Sequence, residues 1–283
     1  MRAVATHADP AAAPGTRTAR AASMTAFGAM LLRDLRVLIK TFTAFAIRTI
    51  MQPLLLLFVF TYVFPKIGEG IGGSGRAEAA FSTLLLAGVV ATAMVFQGVQ
   101  AVALPLVQEF GYTREIDDRV MAPLPVWAVA VEKIASGAIQ GLIAAAVVFP
   151  LALFIPASPV HLTVGWIYLL TISPFAAWVG ASLGLVMGTQ VDPRQVSLLF
   201  SIVILPMTFL GAIYYPWATL TPIAWLKYFV LINPLVYMSE GFRLALTRGI
   251  PHMPILAIYA ALVGFAAFMT WWGIQGFRKR VLA

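Results

Sequence analysis

The sequence predicts an all-α integral membrane protein: six transmembrane helices, an N-terminal amphipathic helix in the membrane interface and a re-entrant external segment before the last span. Three observations lead there. Of 283 residues, 61% are hydrophobic and only 11% charged, whereas a soluble domain carries about a quarter charged residues. Stretches of membrane-crossing length without Asp, Glu, Lys or Arg recur, and the longest runs from Ile134 to Val191. The apolar runs match the ~20 residues that a helix needs to cross the hydrocarbon core. A soluble enzyme is excluded on these grounds. Cysteine is absent, which removes disulfides and thiolate metal sites.

Taken in order, residues 1–24 are Ala-rich with scattered Arg, Thr and Pro and no apolar core of signal-peptide length, so a disordered cytoplasmic tail is expected. FGAMLLRDLRVLIKTFTAF follows. Phe27, Met30, Leu31, Leu35, Leu38 and Phe42 recur at three- and four-residue spacing, with Arg33, Asp34, Arg36 and Lys40 mostly elsewhere around the wheel. That pattern suits an interfacial helix with its apolar face in the acyl chains and its cations at anionic headgroups; a simple extension of the first span is the alternative. Spans are expected at about 43–65, 81–107, 127–154, 162–188, 195–213 and 254–276. The uncharged run from Ile134 must turn once, and FIPASPVH, with Pro156, Ser158, Pro159 and His161, supplies the break.

Lys and Arg set the orientation. Seven are counted ahead of the first span, Arg2, Arg17, Arg20, Arg33, Arg36, Lys40 and Arg48, and Arg278, Lys279 and Arg280 close the sequence. Both termini are therefore expected in the cytoplasm of a multi-pass protein, with 108–126 and 189–194 on the same side and 66–80 and 214–253 outside. The net charge of +8 follows from this arrangement and carries no nucleic-acid implication.

Two segments stand apart from the apolar runs. EFGYTREIDDRVMAPLP, from Glu109 to Pro125, packs four acidic and two basic side chains into residues 109–119, after thirty residues with none. Thr113, Arg114, Glu115, Asp117, Asp118 and Arg119 suit a short exposed helix, which Pro123 and Pro125 would stop; an ordinary solvated loop explains the charge but not the two prolines. The second, AIYYPWATLTPIAWLKYFVLINPLVYMSEGFRLALTRGIPHMP, is dense in Trp and Tyr and broken by Pro216, Pro222 and Pro234. It is expected to dip into the outer leaflet against other protein. Glu240 and Arg243, three apart, can pair there, as a structural salt bridge rather than a substrate contact.

No catalytic constellation is found. His7, His161 and His252 are scattered, so metal-ligand spacing is absent. No acidic side chain is expected inside a span, which argues against a proton- or sodium-coupled pump. Gln52, Gln97, Gln100, Ser173, Ser182 and Thr189 are the polar groups open to a pathway, with helix packing their commoner use, and Gly180 and Gly184 in AAWVGASLGLVMG suit close helix contact. No Gly-Lys dipeptide occurs, so the phosphate-cradling G-x-x-x-x-G-K-[ST] loop is missing. The chain is not expected to be an enzyme by itself.

Residues 25–283 resemble the permease subunit of ABC type-2 exporters of the drug, antibiotic and polysaccharide class. EFGYTREIDDRVMAPLPVWAVAVEK is similar to that family's Glu, Thr, Glu, Pro and Lys pattern between spans two and three. PMTFLGAIYYPWATLTPIAWLKYFVLINPLVYMSEGFRLAL is similar to its Phe-Leu-small-Gly, Pro, Asn-Pro-Leu and Arg pattern. One departure is Ala212 in place of the glycine of a Ser-Gly pair, with Gly211 one position earlier. The resemblance implies a coupling helix over 109–122, with Glu109, Thr113, Arg114, Glu115, Asp117, Asp118 and Arg119 docking on a separate ATPase subunit, which would carry the ATP and Mg. It also implies an external re-entrant segment built on Gly211, Pro216, Asn233, Pro234, Glu240 and Arg243, and a second permease copy, a homodimer being expected. The cargo implied is an amphipathic drug, antibiotic or lipid leaving the cytoplasm or inner leaflet of a bacterial plasma membrane. A lipid-linked polysaccharide is the alternative cargo, and a non-transporting membrane assembly factor or receptor the alternative of another class.

Overall fold

The computed structural model describes residues 19–68, 76–113, 124–157, 160, 162–190, 195 and 200–281. Among them there is no strand. Helix α1 is Ala19–Lys40, and α2 is Phe42–Phe58, continued by a π turn Val59–Val63 and a last turn Phe64–Lys66. Then come α3, Arg76–Gln108, closed by a π turn Glu109–Thr113; α4, Val126–Phe154; and α5, Trp166–Gln190. A π turn Phe200–Ile204 leads into α6, Leu205–Phe209, and the short helices α7, Ala224–Phe229, and α8, Pro234–Leu246, precede α9, Ile255–Val281. Five helices among the described residues are long and apolar enough to cross a membrane, and six if the bent pair Ala224–Ile232 and Pro234–Leu246, meeting at 97°, counts as one. Only Phe200–Phe209 of the expected span at 195–213 is a described helix, and most of 191–199 lies outside the described residues.

α3 is the axis of the bundle, packed on α2, α4, α5 and α8. Its closest neighbour is α5, because glycines remove the side chains between them. A Cβ on Gly180 would lie 3.1 Å from Val95 Cα, one on Gly184 2.9 Å from Val99 Cα, and one on Gly188 3.1 Å from Ala103 Cα. The four-residue stripe thus lets two backbones touch where lipid supplies no hydrophobic drive for association. Ser173, Ser182 and Thr189 return their hydroxyls to carbonyls of their own helix, Leu169, Val179 and Leu185. Gln97 instead joins three helices: Thr49 Oγ1 donates to its Oε1 at 3.0 Å, and its Nε2 reaches Gln140 Oε1 at 3.4 Å.

Prolines mark where chains cross-link. Pro65 has no N–H for the carbonyl of Thr61, and Ala157 N, just past α4, donates to that carbonyl at 2.9 Å. At the same end of the bundle Gly165 N donates to Ala245 O at 2.7 Å and Thr163 N to Leu246 O at 3.1 Å, which fastens the entry of α5 to the end of α8.

Several expectations need correction. Residues 19–24, assigned to the tail, are helical; Ala19, Ala21 and Ala22 have the highest helix propensity of any residue type. Phe27 and Met30, expected in acyl chains, pack against the protein core, and Leu38 is buried. The exposed apolar side chains of α1 are others, Met24, Leu32, Val37 and Ile39. A helix apolar on two faces can dock on protein with one and meet lipid with the other, and of the residues that the three- and four-residue spacing singled out, Phe42 remains exposed. Arg48, counted ahead of the first span, sits inside α2. Glu132, with Lys133, lies inside α4 and is fully buried, so the spans are not free of acidic side chains and that argument against ion coupling falls. α8 is buried around most of its circumference against the rest of the chain. It is α7 that turns Trp225 and Tyr228 outward.

Candidate functional site

The end of α3 is where the charged block begins, and its first residue does not point into water. Lys133 Nζ, in the second turn of α4, donates to Glu109 Oε1 at 2.6 Å, and Asp34 of α1 lies 3.8 Å from the same ammonium. Glu109 is 5% exposed and Lys133 3%. The geometry follows from helix spacing: Glu109 opens the turn after α3, α4 returns beside it, and the fifth turn of α1 packs on α4 at the same level. Three separate helices thereby share one buried cation. The π turn over 109–113 rotates Phe110 away from the ion pair and against Phe277 of α9, ring centres 5.7 Å apart. Arg280 lies over the Phe110 ring at 5.3 Å and caps α5 by donating to Gly188 O at 2.9 Å. Thr113 ends the π turn. Arg114, Glu115, Asp117, Asp118 and Arg119 lie outside the described residues.

At the opposite end, Gly211, Pro216, Asn233, Pro234, Glu240 and Arg243 are brought together. Asn233 precedes a proline, which holds it in extended conformation at φ −88°, ψ 115°. From there its Oδ1 accepts from Leu235 N at 2.9 Å, an N-cap with proline in the first helical position. Its Nδ2 donates to Met207 O at 2.7 Å, a carbonyl released because Gly211 N turns to Thr208 instead. Gly211 is there for space: a Cβ would stand 2.5 Å from Leu235 Cδ2. The left-handed residue is its neighbour Ala212, at φ 53°, so the departure from the family's glycine position puts an alanine in a conformation that glycine favours.

Glu240 and Arg243 form an ion pair one turn apart on α8, both fully buried. Neither charge is idle. Glu240 Oε1 also accepts from Trp217 N at 2.8 Å and its Oε2 from Met253 N at 2.7 Å, while Arg243 donates to Ala212 O at 2.9 Å and Tyr215 O at 3.4 Å. The pair thus ties the strained turn, the start of the Trp217–Leu220 turn and the entry to α9 to one point. Trp217 completes the cluster by donating its indole N–H to Lys227 O at 2.9 Å under the Lys227 ammonium, 4.6 Å from the ring centre. Burial pushes the Tyr214 and Tyr215 phenols above their ordinary pKa.

Sequence reasoning had not singled out Lys133, Asp34 or Arg280. The signal for the first was present, since Glu109 and Lys133 are the first and last residues of the block quoted for the family. Among the described residues no group of three or more His, Asp and Glu gathers to hold a metal, and His252 turns its Nδ1 to the Met253 carbonyl.

A glycine-stitched helical bundle, with a buried charge hub at one end and a folded-back hairpin at the other, defines a multi-pass membrane protein of the permease class. The ABC-2 type transporter family matches residues 25–247, and the chain belongs to that family. It is similar to the inner membrane transport permease YadH of Escherichia coli strain K12, 25% identical over 234 residues, which cover 81% of this chain and 87% of that protein. The permease of the same name from Shigella flexneri matches to the same extent. The chain is a multi-pass permease component of an ABC transporter of the bacterial inner membrane, a kind of subunit that associates with an ABC ATPase.

Proposed function

We propose that this permease exports an amphipathic drug, antibiotic or lipid from the cytoplasm or inner leaflet by alternating access, paired with a second copy of itself. ATP and Mg reside on separate ATPase subunits, which dock on residues 109–122 at the cytoplasmic face, where both termini also lie. Within that segment Glu109, expected to dock, is instead buried against Lys133 and anchors the segment to the bundle. The buried Glu109–Lys133–Asp34 hub carries the reading. The segment begins on Glu109, which is ion-paired to Lys133 of α4, and that lysine also faces Asp34 of α1. Displacement of the segment therefore pulls on α3 and α4 directly and on α1 through the shared ammonium, which is what transmission of a motor's stroke requires. Its charges would steer docking and set register.

Glu115→Lys tests this reading. It replaces an attraction in the contact with a repulsion and is expected to cost about 2 to 5 kcal/mol of docking, giving a normally inserted permease that pulls down little ATPase and exports nothing. Asp9→Lys, in the tail, is expected to behave as wild type. Equal ATPase capture and export by Glu115→Lys and wild type would reduce the charged segment to a solvated loop, and robust ATP hydrolysis by the purified permease alone would overturn the division of labour.

A further inference from the structure

We propose that a cavity of about 660 Å³ between α1, α2, α3 and α4, beside the Lys133 hub, holds the phosphate headgroup of an amphiphile drawn from the adjoining leaflet, with Arg48 as its principal ligand. The volume lies within the range of small-molecule sites. Four helix faces converge on it at helical spacing: Asp34 and Leu38 from α1, Phe45 and Arg48 from α2, Gln100 and Leu104 from α3, Lys133 and Gln140 from α4.

Its charges divide into committed and available groups. Lys133 is engaged by Glu109 and Asp34. Arg48 and Gln100 face the cavity, and among the described residues neither has a hydrogen-bond or ion-pair partner. Arg48 is exposed on the open side of the cavity, and an arginine carried by a membrane-length helix marks a functional site. Its planar fork matches a phosphate in two parallel hydrogen bonds, and the Gln100 amide beside it adds a neutral donor. Pro105, also on the wall, has no N–H for the carbonyl of Ala101, which leaves an acceptor for a headgroup hydroxyl or ammonium. The rim is apolar: Val37 and Leu104 line the cavity and are exposed, a surface for an acyl chain.

Depth fits the same ligand. Arg48 is the seventh residue of α2, so at ~1.5 Å per residue it stands ~10 Å from that helix's start, at the headgroup and acyl boundary rather than mid-bilayer. The transport reading enters only in naming this leaflet the cytoplasmic one; binding itself stands apart from transport.

Native mass spectrometry of the purified full-length permease in detergent, titrated with dioleoyl phosphatidylglycerol or with dioleoylglycerol, tests the site. Wild type is expected to retain the phospholipid and not the diacylglycerol. Arg48→Gln is expected to lose about tenfold or more in apparent affinity, Arg48→Lys, which keeps the charge but not the fork, to fall between that variant and wild type, and Arg36→Gln, off the cavity, to match wild type. Equal retention of phosphatidylglycerol by Arg48→Gln and wild type, or equal retention of the two lipids, would overturn the proposal. Displacement of the lipid by equimolar glycerol 3-phosphate would overturn its assignment to an amphiphile. ATP-dependent movement of a fluorescent phosphatidylglycerol between leaflets by the permease and ATPase complex would mark the ligand as cargo; retention without movement would mark it as a resident lipid, and either is consistent with the site. Absence of export by the wild-type permease and ATPase complex, with phosphatidylglycerol binding intact, would sink the transport reading alone.

Discussion

Lys133 on α4 donates to Glu109 at the end of α3 across 2.6 Å, with both side chains almost completely buried. Removal of one partner of such a pair leaves a stranded charge, at a cost of about 3 to 5 kcal/mol. Lys133→Met is therefore expected to lower the unfolding midpoint of the solubilised permease markedly. Asp34→Asn, whose carboxylate stands 3.8 Å from the ammonium rather than 2.6 Å, is expected to weaken the Lys133 hub less. A double variant Glu109→Gln with Lys133→Met should recover part of the loss in a double-mutant cycle; strict additivity would deny the pair its coupling.

Adjacent residues at the hairpin are expected to respond with opposite signs. Ala212 occupies the left-handed region at φ 53°, so Ala212→Gly relieves strain of about 1 to 2 kcal/mol, partly offset by the greater freedom of glycine in the unfolded chain. Gly211→Ala drives a methyl to within 2.5 Å of Leu235 Cδ2 and is expected to cost about 1 to 3 kcal/mol. Thermal unfolding of the two variants, side by side, checks the assignment of strain to position 212 and of space to position 211.

The Glu240–Arg243 pair serves architecture rather than substrate contact if every polar atom it can reach belongs to the chain. Arg243→Met is expected to destabilise the protein by about 3 to 5 kcal/mol by abandoning a buried carboxylate, and also to free the Ala212 and Tyr215 carbonyls. Reduced folded yield and a lowered unfolding midpoint are the outcomes expected. Wild-type stability with selective loss of transport would assign the pair to the cargo instead.

Orientation has a clean probe because the chain contains no cysteine. The Lys and Arg distribution predicts that Thr219→Cys is labelled by an impermeant reagent from outside intact cells and Asp117→Cys is not. The reverse pattern would invert the topology, and with it the docking face.

Membrane residence, helical class and the glycine stripe were legible in the sequence, because each depends on local pattern: uninterrupted apolar runs of spanning length, and Gly180 and Gly184 four residues apart on one face. The two unusual segments were legible for the same reason, as breaks in that pattern. Partnership was not. Asp34, Glu109 and Lys133 lie far apart along the chain and meet only because α1 packs on α4 where α4 runs beside the end of α3. Whether Phe27 faces lipid or protein, whether Gly211 serves dihedral or space, and whether Arg48 belongs to a flank or to a cavity wall were likewise settled by which helix lies opposite. A side chain's spacing determines the face it shares with its neighbours; what that face meets is decided by non-local packing, and so by the tertiary structure alone.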